Sequence, residues 1–271
     1  MNNSTIGAAV SMASLQQRLD IIADNIANMN TNGYKSKEGS FEDVLTRVQQ
    51  QSKDYNQPGR SMPLGFNIGF GVRVPTVSSN WEEGTLQETG KPTDLALQGN
   101  GLFGVQVNGE TAYTRQGNFH FTPDTANKNR MILVDNTGNP VLGANGTPLT
   151  VGANVSAAID ERGQVWTKTD EKQPPVLAGS LMIVEPLSKR ALQAVDGNFY
   201  VLAEGVTAQQ AFKAAAEPST VGVRSGYLES SNVDLSREMT EMMQIQRTYQ
   251  LAARALSSSD QMLGLANNMR A

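Results

Sequence analysis

Apolar side chains recur at heptad spacing near the N-terminal end of the chain. Successive positions lie three, four, three, four and three residues apart, and they are Met12, Leu15, Leu19, Ile22, Ile26 and Met29. This spacing places one apolar seam on one face of a helix. The next residues, Asn30 to Gly33, supply a glycine for a left-handed cap, so we expect the helix to end there.

A second heptad pattern runs near the C-terminal end. One position repeats every seven residues as Leu235, Met242, Tyr249, Leu256 and Leu263, and the interleaved position is mostly small, as Ile245, Ala252, Ser259 and Ala266. Asn232 and Asp234 are both suitable N-caps. A helix from about Leu235 to Arg270 would be about 50 Å long, and its small residues would let another helix approach closely. We therefore expect the two terminal helices to pair as a coiled coil.

The polar faces of both predicted helices carry few charges. Between Thr248 and Met269, only Arg254 and Asp260 are charged. Periodicity alone fits equally well an ordinary amphipathic helix on a globular core, but a solvated face is usually rich in Lys and Glu. Because uncharged polar side chains cost less to desolvate than charges, these faces favour burial against further copies or partners.

Between the helical ends the pattern changes to period two. Residues 71–77 and 103–107 alternate in this way, and turn dipeptides such as Asn108-Gly109 recur at short intervals. All 11 prolines, and all glycines except Gly7 and Gly264, lie between residues 33 and 226. The sequence therefore predicts an α+β fold, with discontinuous terminal helices pairing as a coiled coil around a central antiparallel β domain.

These patterns divide the chain into four expected segments. They are the N-terminal helix at 1–33, an extended arm or linker at 34–71, the central β domain at 72–225, and the C-terminal helix at 226–271, which completes the coiled-coil domain. We expect the arm to open with a helical turn at Phe41 to Val48. An alanine-rich stretch, Thr207 to Ala216, predicts a short helix within the β domain.

The composition excludes several functional classes. The chain has no cysteine, so it has no disulfide framework, zinc-thiolate site or thiol nucleophile. Its 22 basic and 26 acidic residues give a net charge of −4, which lacks the basic field of a nucleic-acid-binding protein. No run approaches the roughly 20 apolar residues of a membrane span. Residues 1–12 do not resemble a general secretory signal, so we expect any export to use another route.

Candidate ligand sites are weak. Residues 99–104 match the dinucleotide string G-x-G-x-x-G, but a strand and a hairpin turn are predicted next, where the phosphate site needs a helix. His120 is the only histidine and lies in an alternating strand. The acidic pairs Glu82-Glu83 and Asp160-Glu161 precede glycines, which favours turns over an acid and base pair.

A methionine cluster at 239, 242 and 243 suits helix packing better than metal binding. No nucleophile, base and orienting group can be assembled from the sequence. We therefore expect no catalytic residue, no cofactor, no metal site, no small-molecule substrate and no nucleic-acid partner.

Two terminal motifs resemble the flagellar rod and hook proteins of the bacterial basal body. One motif is LDIIADNIAN at 19–28, continuing to NTNGYK at 30–35; the other is GYLESSNVDL at 226–235, followed by QRTYQ at 246–250 and DQML at 260–263. Residues 101–105 and 112–119 resemble the start of that family's β domain. Within the family, residues 41–45 and 64–73 look most like the distal rod. The resemblance weakens from about Thr125 to Ala216.

The resemblance implies a structural subunit of the flagellar axial tube, with paired terminal helices inside and the β domain outside. It implies polymerisation with copies of itself, contact with adjacent rod and hook proteins, and passage through the flagellar export apparatus. Hook, proximal-rod and junction subunits of the same family remain alternatives. A secreted carbohydrate-binding β protein is a further alternative, which the aromatic content of only 6% disfavours.

Overall fold

The computed structural model describes residues 3–40, 42–43, 47–50, 65–68, 72–73, 77–124, 127, 129–153, 155–168, 174–195, 198–213 and 221–268. The chain divides into two compact units. Unit 1 comprises residues 1–27, 36–80 and 233–271, and unit 2 comprises residues 28–35 and 81–232. The fold mixes helices with antiparallel sheets and has a helix near each end of the chain, as the sequence predicts.

The helices are α1 (Asn3–Ala27), α2 (Ala208–Ala211) and α3 (Leu235–Asn268). Helix α3 begins at the predicted residue because Asp234 caps it. The Asp234 carboxylate accepts a hydrogen bond from the backbone N–H of Ser236 at 2.9 Å and another from that of Arg237 at 3.3 Å. Of the two N-caps that the sequence allows, the structure therefore uses Asp234.

Helix α1 ends at Ala27, earlier than the cap that the sequence predicts at Gly33. The Thr31 backbone N–H donates to the Asn28 carbonyl at 3.1 Å, and the Thr31 hydroxyl donates to Asn28 Oδ1 at 3.2 Å. Such local bonds compete with the helical ladder. Gly33 has the expected positive φ of 68°, but its N–H donates to the Glu229 carbonyl at 2.7 Å. Gly33 therefore lies in a turn of unit 2 and does not cap α1.

The described strands of unit 1 form three antiparallel pairs. The strands are β1 (Lys37–Gly39), β2 (Glu42–Asp43), β3 (Arg47–Gln50), β4 (Gly65–Ile68), β5 (Val72–Arg73) and β6 (Val77–Ser79). They pair β1 with β6, β2 with β5 and β3 with β4. The predicted helical turn at residues 41–48 is wrong at 42–43 and 47–48, because these residues pair with strands further along the chain. Residues 41 and 44–46 lie outside the described part.

The remaining strands belong to unit 2. They are β7 (Leu86–Glu88), β8 (Leu95–Gln98), β9 (Leu102–Val107), β10 (Glu110–Thr114), β11 (His120–Pro123), β12 (Arg130–Val134), β13 (Thr150–Gly152), β14 (Ser156–Ile159), β15 (Gln164–Lys168), β16 (Val176–Ser180), β17 (Ile183–Val184), β18 (Leu192–Val195), β19 (Phe199–Leu202), β20 (Gly222–Ser225) and β21 (Tyr227–Glu229). A short 3₁₀ helix, Lys189–Ala191, precedes β18. The predicted short helix is α2, which Thr207 begins with a capping box to Gln210. It ends at Ala211, earlier than predicted, because Phe212 forms a β-bridge with Pro186; residues 214–216 lie outside the described part.

The sheets of unit 2 are small and antiparallel. A five-stranded sheet has the order β17-β9-β10-β19-β18, and two three-stranded sheets have the orders β11-β12-β13 and β14-β15-β16. Strand β8 pairs with β20, and β7 pairs with β21. Their inner faces share one core that includes Leu95, Phe103, Leu133, Val165 and Val223. The unit therefore has its own apolar core.

Candidate assembly site

The predicted seam of α1 faces inward. Ile22 is 1% exposed, and Met12, Leu15, Leu19 and Ile26 are half-buried. Met29 is also half-buried. Its spacing predicts a position on the helix, but it lies in the turn after α1.

The predicted seam of α3 is buried less evenly. Ile245 is 8% exposed, and Met242, Tyr249, Ala252 and Leu256 are half-buried. Leu235, in the first turn, is 37% exposed. The side chain of Leu263 lies outside the described residues.

Polar contacts join α1 to α3 within unit 1. Arg18 Nε donates to the Glu241 carboxylate at 2.7 Å, and its other guanidinium nitrogens reach Glu241 and the Gly39 carbonyl. Asn25 Nδ2 donates to Glu238 Oε1 at 3.2 Å. Because the partner number on α3 falls as the number on α1 rises, the two helices run antiparallel.

Asn25 is a buried amide at the base of this contact. Its Nδ2 also donates to the Lys37 carbonyl at 2.9 Å, and its Oδ1 accepts from the Lys37 N–H at 2.8 Å. The side-chain amide of Asn25 therefore pairs with both backbone groups of Lys37 in β1, as a residue of a neighbouring strand would. Nothing in the sequence pattern predicts this role of Asn25.

The Glu238 carboxyl group is partly shielded from solvent. Its Oε2 is buried and has no hydrogen-bond partner among the described residues. Burial raises the pKa of Glu238 and the nearby Glu241 carboxylate adds to the increase, while the bond from Asn25 and the charges of Arg18 and Arg237 oppose it. Protonation of Glu238 is therefore easier in the folded chain than in the unfolded chain.

A second group of apolar side chains lies on the exposed surface of α3. Met239, Met243, Leu251, Met262 and Leu265 are each at least 47% exposed. At 100° per residue, Leu251, Met262 and Leu265 lie about 120°, 100° and 160° around the helix from Ile245, outside its buried face. Helix α3 has 34 residues and α1 has 25, so α1 alone is too short to cover α3 along its whole length.

Unit 2 contains a cluster of buried charges, Lys35, Arg115 and Glu229, which we call the ion cluster. Lys35 Nζ lies 2.7 Å from Glu229 Oε1, and Arg115 Nε lies 2.5 Å from Glu229 Oε2. Each of the three side chains is at most 2% exposed. Arg115 also donates to the carbonyls of Leu97, Gly99 and Gly101 at 2.6–2.9 Å. The Glu229 carboxylate therefore contacts both cations, and the half-exposed Glu83 carboxylate lies 3.9 Å from Arg115 Nη2.

The ion cluster perturbs its own members. Burial lowers the pKa of Lys35, and the attraction of Glu229 only partly opposes this. Burial alone would raise the pKa of Glu229, but Arg115 and Lys35 together hold it below its ordinary value. Both shifts show a cluster whose charges depend on one another.

Sequence reasoning did not find the ion cluster. All three residues lie within the motifs that carry the family resemblance, NTNGYK, AYTRQGNF and GYLESSNVDL. The available signal was weak: Lys35 follows Tyr34 and Glu229 follows Leu228, but Arg115 lies between two polar residues. It did not show which residues pair.

Most of the rejected candidates lie where their local patterns predicted, but Glu82-Glu83 lies in a segment without a turn. Strand β9 begins within the glycine string at 99–104, and the hairpin turn is at Asn108-Gly109, where both residues have positive φ. His120 is exposed on β11. Asp160-Glu161 lies in a turn that the Gly163 N–H closes on the Asp160 carbonyl at 2.8 Å. Glu83 Oε1 accepts a hydrogen bond from the Gly99 N–H.

The described residues contain neither a metal-ligand group nor a membrane-spanning helix. No group of three or more His, Asp or Glu side chains among them could hold a metal ion. None of the helices in this part of the chain is long and apolar enough to span a membrane.

Three parts of the chain match families of flagellar proteins. Residues 8–35 match the family described as "Flagella basal body rod protein", residues 96–167 match "Flagellar hook protein FlgE/F/G D1 domain", and residues 224–269 match "Flagellar basal body rod FlgEFG protein C-terminal". These regions contain the seams of α1 and α3. Each region also contains one residue of the ion cluster, namely Lys35, Arg115 and Glu229 in that order.

Curated relatives are similar along nearly the whole chain. A "Flagellar hook-basal body complex protein FlhP" from Bacillus subtilis (strain 168) is 30% identical over 274 residues, covering 100% of both chains. A "Flagellar basal-body rod protein FlgG" from Borreliella burgdorferi is 32% identical over 267 residues, and one from Caulobacter vibrioides is 31% identical over 268 residues; each match covers 97% of both chains.

Proposed function

This chain belongs to the family of flagellar basal-body rod and hook proteins, and on that premise we propose that it is a structural subunit that polymerises into the distal part of the flagellar rod. The polymer would transmit torque and enclose the channel through which flagellar proteins are exported. The observation that carries this proposal is the second apolar surface of α3, which a single chain leaves in water. A tube of many copies would bury it.

The proposal includes a coiled coil of α1 and α3. It is supported by the heptads, by the burial of Ile22 and Ile245, and by the antiparallel contacts of Arg18 and Asn25. The discontinuous helical domain would then comprise residues 1–33 and 226–271, the arm 34–71 and the β domain 72–225. The arm would bridge neighbouring subunits and stiffen the tube.

The proposed partners are other copies of this chain, the adjacent rod and hook proteins, and the flagellar export apparatus. Each copy would offer different surfaces to successive neighbours, which gives an open helix when the rotation does not close. No catalytic step, cofactor, nucleic acid or small-molecule substrate is part of this role. Helices that complete their burial only on docking would confine polymerisation to the growing end.

A second candidate role is that of a hook or junction subunit of the same family. The full-length relative named as a hook-basal body complex protein favours keeping it. Proximal-rod subunits are included in this alternative, because they would use the same helices and differ in their neighbours along the tube.

Immunogold labelling of isolated basal bodies with an antibody against the β domain tests the proposal. We expect label on the rod just below the hook. Label along the hook, or protein that accumulates in the medium without label, would contradict the distal-rod assignment. A Leu256→Asp chain provides the matched control, because a charge in the seam should prevent incorporation while the β domain stays folded.

A further inference from the structure

Separate segments of unit 2 meet at the ammonium of Lys35. Lys35 ends the short segment of the unit, Glu82 is the second residue of the long segment, and Glu229 lies three residues before its end at Asn232. Lys35 Nζ donates to the Glu82 carbonyl at 2.6 Å and to Glu229 Oε1 at 2.7 Å. One buried side chain thus joins the places where the chain enters and leaves this unit.

Every acceptor of Lys35 also has another donor. The Glu82 carbonyl accepts from Asn232 Nδ2 at 3.1 Å, and Glu229 Oε1 accepts from the Gly84 N–H at 2.9 Å. Without Lys35, Arg115 and Glu229 would remain as a neutral buried pair. Replacing Lys35 by Met, which has a similar length, would therefore leave none of these acceptors without a hydrogen bond.

The charge of Lys35 is costly to bury. Its side chain is 1% exposed, and burial lowers its pKa in spite of the contact with Glu229. Replacing a buried ion pair by apolar groups is often neutral or stabilising, because the pair gains little beyond the hydration it loses. The bonds of such a pair must break before water reaches the ions, and on refolding the ions must lose water before the bonds form. A buried ammonium can therefore raise the barrier in both directions.

We propose that Lys35, held by Glu229 and the Glu82 carbonyl, is a kinetic clamp on the connections of unit 2. It slows both the release and the recapture of residues 28–35 and adds little to the equilibrium stability of the unit. A subunit that transmits torque is loaded repeatedly, and resistance to forced opening follows the unfolding rate. Only this last link, from the clamp to torque, rests on the proposed function.

Stopped-flow unfolding and refolding of the full-length chain in urea tests the clamp. A Trp166→Phe background leaves Trp81 as the only tryptophan, and Trp81 is buried in unit 2 next to Glu82. In this background we expect Lys35→Met to speed both unfolding and refolding by about tenfold or more, since two charge-assisted bonds no longer form or break. The urea midpoint should stay close to that of the parent.

The matched control is Lys37→Met. Lys37 pairs with Asp24 at 2.6 Å on the surface of unit 1, with more than a third of each side chain exposed, so neither rate of unit 2 should change. A Lys35→Met chain that only unfolds faster, with a matching fall in midpoint, would identify Lys35 as an ordinary stabilising residue. Unchanged rates, or a variant that does not fold, would also overturn the clamp. None of these outcomes depends on whether the chain forms a rod.

Discussion

Glu229→Gln is expected to cause a large loss of stability in unit 2. The carboxylate accepts hydrogen bonds from Lys35 Nζ, Arg115 Nε and the Gly84 N–H, at 2.7, 2.5 and 2.9 Å. Glutamine has nearly the same shape but no charge, and its amide nitrogen would face donors. The two buried cations would then lose the carboxylate that contacts both of them.

The expected loss is about 3–5 kcal/mol, which is typical when one partner of a buried ion pair is removed. This is a large part of the roughly 5–15 kcal/mol that stabilises an ordinary domain. With an m value of about 2 kcal/mol/M, the urea midpoint would fall by about 1.5–2.5 M. The loss contrasts with the near-neutral effect expected for Lys35→Met, although Lys35 and Glu229 bind each other.

Equilibrium urea unfolding followed by Trp81 fluorescence measures this loss, because Trp81 is packed 4.9 Å from the Tyr200 ring in unit 2. The control is Glu83→Gln. The Glu83 side chain is 50% exposed and 3.9 Å from Arg115 Nη2, so its loss should cost less than about 1 kcal/mol. If Glu229→Gln unfolds within about 1 kcal/mol of the parent, the charge-balance argument for the ion cluster is refuted.

Three further predictions concern single side chains. Ile22→Ala should destabilise unit 1 by about 2–5 kcal/mol, because it leaves a cavity. Leu251 is 63% exposed, so Leu251→Ala should leave thermal unfolding of the monomer unchanged but weaken polymerisation. Equal effects of the two substitutions on the monomer would contradict the assignment of the buried and exposed faces. The pKa of Glu238 in the folded chain is raised above its ordinary value of 4.5. Unit 1 should therefore gain stability as the pH falls from above the folded pKa towards 4.5. Glu238→Gln should remove this gain in circular dichroism melts, and an unchanged pH profile would contradict the raised pKa. Gly117→Ala should disrupt unit 2, since its Cβ would lie 1.6 Å from the Leu95 carbonyl oxygen, whereas Gly264→Ala, with nothing within 4 Å, should be tolerated; folded Gly117→Ala protein in a solubility assay would contradict this contact.

The sequence predicted the features that depend on local pattern. The start of α3 follows from local signals, because the cap Asp234 directly precedes Leu235, the first residue of the apolar repeat. The hairpin turn at Asn108-Gly109 follows in the same way from two residues that tolerate positive φ. Such features need no knowledge of distant partners.

Features set by distant partners were missed. The strand pairs of unit 1 were not predicted, because each pair joins residues far apart in the chain, such as Lys37 with Ser79. The ion cluster joins residues separated by 194 positions, in the case of Lys35 and Glu229. The end of α1 was also placed too late, because Asn28 to Gly33 bond within unit 2 and leave the helical pattern.

The antiparallel contact of α1 with α3 has a consequence for the timing of folding. Arg18 and Glu241 are separated by 223 positions, so a chain that emerges N-terminus first, from a ribosome or a narrow conduit, has no partner for α1 until residue 241 has appeared. Closing so long a loop carries a large entropic cost before any contact forms. Unit 2 can meanwhile assemble its core from residues within its own span. The topology therefore makes unit 1 the last part of the molecule to become complete.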